Sequence, residues 1–296
     1  MSAFARSRGS RCRLLVAACG AVLLVGCGLT RQQRAAVQQF SAATINFATL
    51  TSSELIRSRA AVLEMNTLRI QLNDNTIKPD RLDAHFTVER VKVRVEAMQA
   101  LEGYAHLLHA LVTTSQREQL QGAADRFVTS LRKVQGVSLS DDKAGAIGVA
   151  IQQVGGLVVE YQRAKATREV VTASHDTVLQ LLDLVRRDFD PTADHWSLGY
   201  ELVSQALVGA ANAAATGPNP ALNGALIGEA RVVAAQNMAR FNTVAAQVEG
   251  SAAALREAQI NLREVLQSPD VTVENINRYV SQIQDFVEIY SILRAP

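Results

Sequence analysis

The chain has 296 residues, of which 48% are hydrophobic, 20% charged and 5% aromatic, with 17 Gly and 6 Pro. This composition excludes a disordered chain, a collagen-like repeat and a disulfide-dense framework, and it leaves enough apolar side chains for a core. The formal net charge is +2, but Arg6, Arg8, Arg11 and Arg13 lie together at the start. The rest of the chain has 26 basic and 28 acidic residues. It therefore predicts no basic stripe for a phosphate backbone, and no nucleic-acid partner.

An apolar segment follows the N-terminal arginines. Twelve uncharged residues, 14–25, separate Arg13 from Gly26 and Cys27. At about 1.5 Å per residue this segment is too short to cross roughly 30 Å of hydrocarbon as a helix. A basic start, a short apolar segment and small residues at its end together predict a secretory signal.

The residues Leu24-Val25-Gly26-Cys27 resemble the lipobox of bacterial lipoprotein precursors. The resemblance implies that residues 1–26 are removed as a signal peptide. It also implies that the Cys27 thiol carries diacylglycerol and that the new amino terminus is acylated, with palmitate as an expected fatty acid. Two or three acyl chains anchor a protein durably, at roughly 0.8 kcal/mol per buried methylene.

The same resemblance carries an expectation about location. The residue after the cysteine is Gly28 and not Asp, which in a double-membraned bacterium implies transfer to the outer membrane, with the body in the periplasm. The other two cysteines, Cys12 and Cys19, would leave with the signal. The mature chain would then have no disulfide, and its length is ample for a hydrophobic core.

The first half of the mature chain is predicted to be helical, because apolar residues recur mostly at three- and four-residue steps. One or two helices are expected over 30–72, ended by the polar residues 73–75. A helix with one apolar stripe is expected over 88–112, and a further helix over 116–134. Residues 91–96 alternate as a strand would, but the helical period encloses them, so we favour helix there.

An uncharged segment, 144–159, is rich in glycine. Each glycine lowers helix propensity by about 1 kcal/mol relative to alanine. We therefore expect the segment to gain from close contact with another helix. The glycines concerned are Gly145, Gly148, Gly155 and Gly156.

The second half of the chain continues the helical pattern. Ser174 is expected to cap a helix of its own, and another helix is expected over 193–215. The turn residues 217–220 precede a long helix over 221–267, whose apolar spacing is typical of a coiled coil. A broad apolar face over 276–293 predicts a last helix that packs in the core.

These elements define an all-α fold. The long helices, short connections and absence of a convincing strand predict an elongated antiparallel bundle of about seven or eight helices, several of them long and coiled-coil-like. Residues 27–296 are expected to form a single helical-bundle domain with a short N-terminal stem.

One group of side chains has the spacing of a metal site. Glu102, His106 and His109 are four and three residues apart, so they share one face of a helix. Di-iron sites in bundles need paired Glu-x-x-His elements on two helices, and this chain has none. We therefore expect these histidines to be surface residues with local hydrogen bonds, and we predict no metal site.

No catalytic motif is present in the sequence. The nucleophile elbow, the His-Glu-x-x-His pair and the glycine-rich phosphate loops are all absent. Asp194-His195-Trp196 has the pattern of a first helical turn, with the acid favoured by the helix dipole. His85 and His175 have no evident partner. We predict no enzyme activity and no cofactor other than the covalent lipid on Cys27.

A second uncharged segment spans 202–228 and contains a Gly-x-x-x-Gly spacing, Gly224 to Gly228. The turn at 217–220 divides it, and neither arm is long enough to cross a bilayer. We therefore favour a core hairpin whose small residues lie at a tight helix crossing.

Three functions remain open at this point. The favoured hypothesis is a membrane-anchored, non-enzymatic envelope lipoprotein that acts as a protein-binding or structural module, through a protein partner or self-association. The alternative is a membrane-active protein that inserts the 202–228 hairpin, and here the long helices with an uncharged hairpin resemble α-helical pore-forming toxins. The weaker third option is a carrier of an apolar ligand bound beside 144–159.

Overall fold

The computed structural model describes residues 28–74, 76–83, 85–114, 116–134, 137, 140–154, 160–190, 196–218, 220, 223–268 and 270–294. The predicted signal peptide and the lipobox with Cys27 lie outside these residues, and so do Gly155, Gly156, Asp194 and His195.

Eight α-helices make up most of the described chain, and no strand occurs in it. In order they are α1 Arg31–Gln71, α2 Val88–Thr113, α3 Arg117–Lys133, α4 Asp141–Val154, α5 Glu160–Phe189, α6 Trp196–Ala215, α7 Gly224–Gln267 and α8 Glu274–Arg294. A 3-10 turn at Pro79–Arg81 lies between α1 and α2. The predicted all-α fold is confirmed, and residues 91–96 are helical as expected.

The start of α1 is fixed by a capping box. The Thr30 hydroxyl accepts a hydrogen bond from the backbone N–H of Gln33, and the Gln33 side chain accepts one from the N–H of Thr30. Two backbone donors that a helix start leaves unpaired are thereby satisfied. The amide of Gln33 also donates to the carbonyl oxygen of Val265 at 2.6 Å, which ties the start of α1 to the end of α7.

The end of α1 depends on Asn73. This residue has a φ of 62°, a left-handed conformation that Asn adopts more readily than most other residues and that terminates a helix. The polar residues predicted to end the helix do so, and the chain turns back along α1. In this return, the Asn66 side chain donates a hydrogen bond to the carbonyl oxygen of Leu82 at 2.7 Å.

The two longest helices, α1 and α7, run antiparallel. Gln33 of α1 meets Val265 of α7, and further along Glu54 meets Arg240. With 41 and 44 residues, these helices are about 60 Å and 65 Å long. We call the end where α1 starts the base and the end where α1 stops the distal end.

The other helices pack around this pair. Helix α1 contacts α2, α6, α7 and α8, while α5 lies against α2, α4 and α7, and α3 packs between α2 and α4. One hydrophobic cluster takes side chains from all eight helices. The apolar residues predicted along α7 are all buried in it, namely Phe241, Val244, Val248, Leu255, Leu262 and Val265.

The prediction of a helix cap at Ser174 is wrong. Ser174 is buried in the middle of the continuous helix α5. The reason is that the buried stripe formed by Val170 and Val171 continues through Val178 and Leu181, and no Gly or Pro interrupts residues 160–189. Burial of that stripe outweighs the preference of a single serine for a helix start.

The prediction of close helix contact in 144–159 is also wrong at Gly145 and Gly148. A Cβ atom added at either glycine would meet no heavy atom of the described chain within 4 Å. Helix α4 packs through its buried residues Ile147 and Ile151 instead. A close approach occurs at Gly103 of α2, where a Cβ would lie 3.2 Å from Cα of Phe127 on α3.

Candidate functional site

The residues predicted to share a helix face, Glu102, His106 and His109, do so on the surface of α2. Nε2 of His106 lies 3.5 Å from a carboxylate oxygen of Glu102, and both histidines are exposed. They line an open cavity with Glu118 and Arg126 of α3. Within the described chain, no three His, Cys, Asp or Glu side chains are grouped in a way that would hold a metal ion.

The remaining histidines and Trp196 are dispersed. His85 is exposed near Arg90, whereas His175 is buried on α5. Burial, assisted by the positive charge of Arg263, lowers the pKa of His175 below its usual value. Trp196 starts α6 and is buried against Phe86, with ring centroids 4.2 Å apart.

The hairpin formed by α6 and the start of α7 is half covered. Its inner side packs into the bundle through Val203, Leu207 and Ala211, and the Ser204 hydroxyl donates a hydrogen bond to the carbonyl oxygen of Ala234 at 3.3 Å. Its outer side is open to solvent. We call that outer side the hairpin surface, and its residues are Val208, Gly209, Asn212, Ala213, Gly224, Ala225, Gly228 and Val232. The exposed residues Glu229 and Arg231 border it, and Arg231 donates a hydrogen bond to the side-chain oxygen of Asn212 at 2.9 Å.

The predicted tight crossing at Gly224 and Gly228 is wrong. A Cβ atom at either glycine would meet nothing within 4 Å among the residues that the structure describes. The small residues Ala211 of α6 and Ala230 and Ala234 of α7 are buried instead. The two glycines therefore belong to the outer surface of the hairpin, where they reduce side-chain bulk.

The hairpin surface lies at the distal end. Helix α7 runs antiparallel to α1, and Gly224 precedes Val265 by 41 residues, or about 60 Å of helix. The chain that precedes α1, by contrast, meets the bundle at the base, where Leu29 is buried and Arg34 pairs with Glu160 at 2.7 Å. The start of α1 and the hairpin surface are thus at opposite ends of the molecule.

A buried ion pair joins α1 to α7 between these two ends. Nη1 of Arg240 donates to a carboxylate oxygen of Glu54 at 2.7 Å, and the guanidinium lies 5.4 Å above the ring of Tyr290. The Nε and Nη2 groups of Arg240 find no hydrogen-bond partner in the described residues. Burial raises the pKa of Glu54 to about 7, and the charges of Arg240 and Arg57 offset only part of this effect.

Glu54 and Arg240 belong to no catalytic or metal-binding motif, but the sequence contains another signal for this pair. Glu54 lies four residues after Leu50 and seven after Phe47, on the apolar stripe of α1, and Arg240 immediately precedes Phe241 on the stripe of α7. A charge on an apolar stripe predicts a buried partner of opposite charge. It does not predict which partner, because the register of the two helices is a tertiary property.

The cavity next to α4 does not have the lining of an apolar ligand site. Its volume is about 380 Å³, and Asp125, Arg132 and Asp141 line it together with Gly145 and Gly148.

None of the helices in the described chain is long and apolar enough to cross a membrane. No protein-family model, curated protein or solved structure matches this chain.

The raised pKa of Glu54 predicts a pH-dependent stability. A carboxyl whose pKa is higher in the folded than in the unfolded state binds more protons when folded, so its contribution is complete below about pH 4.5 and is lost as the pH rises through about 7. We expect the free energy of unfolding in urea to fall over this range, by up to about 3 kcal/mol. Glu54→Gln should flatten this dependence.

The matched control is Glu64→Gln, which changes an exposed acid on the same helix. It should keep the pH dependence of the wild type. Equal slopes of unfolding free energy against pH in wild type and Glu54→Gln would contradict the assignment.

Proposed function

We propose that this chain is a membrane-anchored, non-enzymatic lipoprotein of the bacterial envelope. Acylated Cys27 would hold the base of the bundle at the membrane, on the periplasmic side of the outer membrane, and the hairpin surface would bind another protein. The observation that carries this proposal is the polarity of the bundle, with the start of α1 at one end and the hairpin surface about 60 Å away at the other.

The start of the bundle supports a short, stiff anchor. Leu29 is buried two residues after Cys27, and α1 begins at Arg31 behind the capping box of Thr30. An acylated Cys27 would therefore join the folded body almost directly. Arg31 is exposed at the base, and a basic side chain near an anionic membrane surface contributes about 1 kcal/mol to binding.

The hairpin surface has the chemistry of a protein interface. The whole segment 202–228 lacks charged residues, and interface cores are depleted in charge. Its exposed glycines and alanines would let a partner helix approach closely, and Val208 and Val232, which are 37% and 52% exposed, would supply apolar contacts. The proposed occupant is a helical segment of a partner protein, and a second copy of this chain is one such partner.

Membrane insertion of the hairpin is a second candidate, because one side of the uncharged segment 202–228 is exposed. Insertion would require Val203, Leu207 and Ala211 to leave the core. Leakage of dye from liposomes caused by the purified protein, across several lipid compositions and pH values, would favour insertion over docking. Absence of leakage under all these conditions would remove this candidate.

The anchor is tested by labelling cells with radioactive palmitate. We expect label in the wild-type protein and none in Cys27→Ser, because the thiol is the point of attachment. Cys12→Ser is the matched control, since it changes a cysteine that the proposed cleavage removes, and it should remain labelled. Label in Cys27→Ser, or its absence from the wild type, would contradict the anchor.

The docking surface is tested with a photo-crosslinking residue in place of Ala213 in intact cells. We expect one discrete crosslinked product. Val208→Glu in the same chain should reduce its yield by about tenfold or more, because an interface would bury the new charge without a partner. A product of twice the monomer mass would identify a second copy as the partner.

Val149→Glu is the matched control for this experiment. Val149 is 52% exposed on α4, away from the hairpin, and its replacement should leave the yield unchanged. The docking proposal fails if no product forms from residue 213, or if both glutamate variants lower its yield equally. Circular dichroism spectra equal to that of the wild type would show that both variants fold.

A further inference from the structure

A cleft opens beside the start of α6, apart from the hairpin surface. It has a volume of about 590 Å³, within the range of sites for small ligands. One side is basic and the other is apolar. The lining residues are His85, Phe86, Arg90, Arg94, Trp196, Leu198, Gly199 and Leu202.

The basic side of the cleft comes from one face of α2. Arg90 and Arg94 are four residues apart, so their side chains neighbour each other. Arg94 is held in place, because it donates to Asp188 at 2.6 Å and its guanidinium lies 4.6 Å from the centre of the Trp196 ring. Arg90 is exposed and donates to the carbonyl oxygen of His85 at 3.3 Å.

Arg90 is the group available to an anion. Within the described residues, no carboxylate lies at ion-pair distance from its guanidinium, whereas Arg94 pairs with Asp188. Arg90 keeps further N–H donors beyond the bond to His85, and a guanidinium binds a carboxylate through two parallel hydrogen bonds.

The apolar side of the cleft comes from α6. Leu202 lines it while 53% exposed, so it presents apolar surface to the cleft. Trp196 lies beneath, firmly packed on Phe86, and its indole N–H has no hydrogen-bond partner in the part of the chain described. Beyond Arg94, a second cavity of about 240 Å³ is lined by the apolar residues Val93, Ala97, Leu184 and Val185 and by the charged residues Arg94, Arg187 and Asp188.

We propose that this cleft binds an amphiphilic monoanion, a carboxylate that carries an acyl chain. The carboxylate pairs with Arg90 and the chain lies over Trp196 and Leu202, with the cavity beyond Arg94 available to a longer chain. The arrangement favours an anion over a cation because the charged side chains that the structure describes in the cleft lining are the guanidinium groups of Arg90 and Arg94. It favours an amphiphile over a small anion because most of the remaining lining is apolar. This site is independent of the anchor and of the hairpin surface.

The chain contains one tryptophan, Trp196, so its fluorescence reports directly on the cleft. Dodecanoate, added to the purified full-length protein below its micellar concentration, should change the emission saturably. Arg90→Gln should raise the dissociation constant about tenfold, through loss of a charge-assisted contact. Arg126→Gln, which changes an exposed arginine of α3, is the matched control and should leave it unchanged.

A second pair of variants tests the apolar side. Leu202→Glu introduces a carboxylate into the cleft and should weaken binding of dodecanoate about tenfold or more. Val149→Glu adds the same charge on α4, outside the cleft, and should have no effect. Helix content from circular dichroism should equal that of the wild type in every variant.

Two further ligands test whether the negative charge of the ligand is required for binding. Dodecylamine and dodecanol have the same chain length without the negative charge and should bind much more weakly than dodecanoate. If they bind equally well, or if Arg90→Gln behaves like Arg126→Gln, the proposal is overturned. It is overturned as well if vesicles containing phosphatidylglycerol change Trp196 emission while monomeric dodecanoate does not, since the ligand would then be a lipid surface.

Discussion

The antiparallel pairing of α1 with α7 is the contact on which the rest of the structure depends. These helices run the length of the molecule and are joined at the base by Gln33 and Val265 and further along by Glu54 and Arg240. A buried ion pair contributes little net stability when it forms, but breaking it costs about 3–5 kcal/mol because one charge is left unpaired. We infer that the pair fixes the register of the two helices, and hence the distance between the base and the hairpin.

This register links the fold to the proposed function. Because α1 starts at the base and α6 and α7 turn at the distal end, a protein held at its N-terminus would present the hairpin away from its own membrane. The hairpin remains part of the bundle through its buried inner side, while most of its outer side comes from the uncharged segment 202–228. The cleft at Trp196 lies between these ends, where α2 and α6 begin, so a bound ligand and a bound partner need not compete.

Much of the fold was predictable because helix periodicity is a local property. The spacing of apolar residues located α1, α2, α3, α7 and α8 to within a few residues. The prediction of a helix cap at Ser174 was wrong because a serine is tolerated inside a long helix whose buried stripe continues past it. The prediction of close helix contact at Gly145 and Gly148 was wrong because low helix propensity does not tell which neighbour, if any, a helix approaches. A close approach to a neighbouring backbone occurs instead at Gly103. For the same reason the ion pair of Glu54 and the cleft at Arg90 need the three-dimensional arrangement, since their residues come from segments far apart in sequence.

In the proposed arrangement, a lipid anchor at Cys27 holds the base of the bundle at the membrane, and the hairpin lies remote from that membrane. The most direct test is energy transfer from a dye to acceptor lipids in proteoliposomes, with the dye on a cysteine introduced at Ala35 near the base or at Ala213 on the hairpin surface, both exposed. With Cys27 acylated, the introduced thiol is the only one free to react. We predict efficient transfer from residue 35 and weak transfer from residue 213, because about 60 Å of helix separates them. Equal transfer from the two sites would contradict an arrangement with the base at the membrane and the hairpin remote from it.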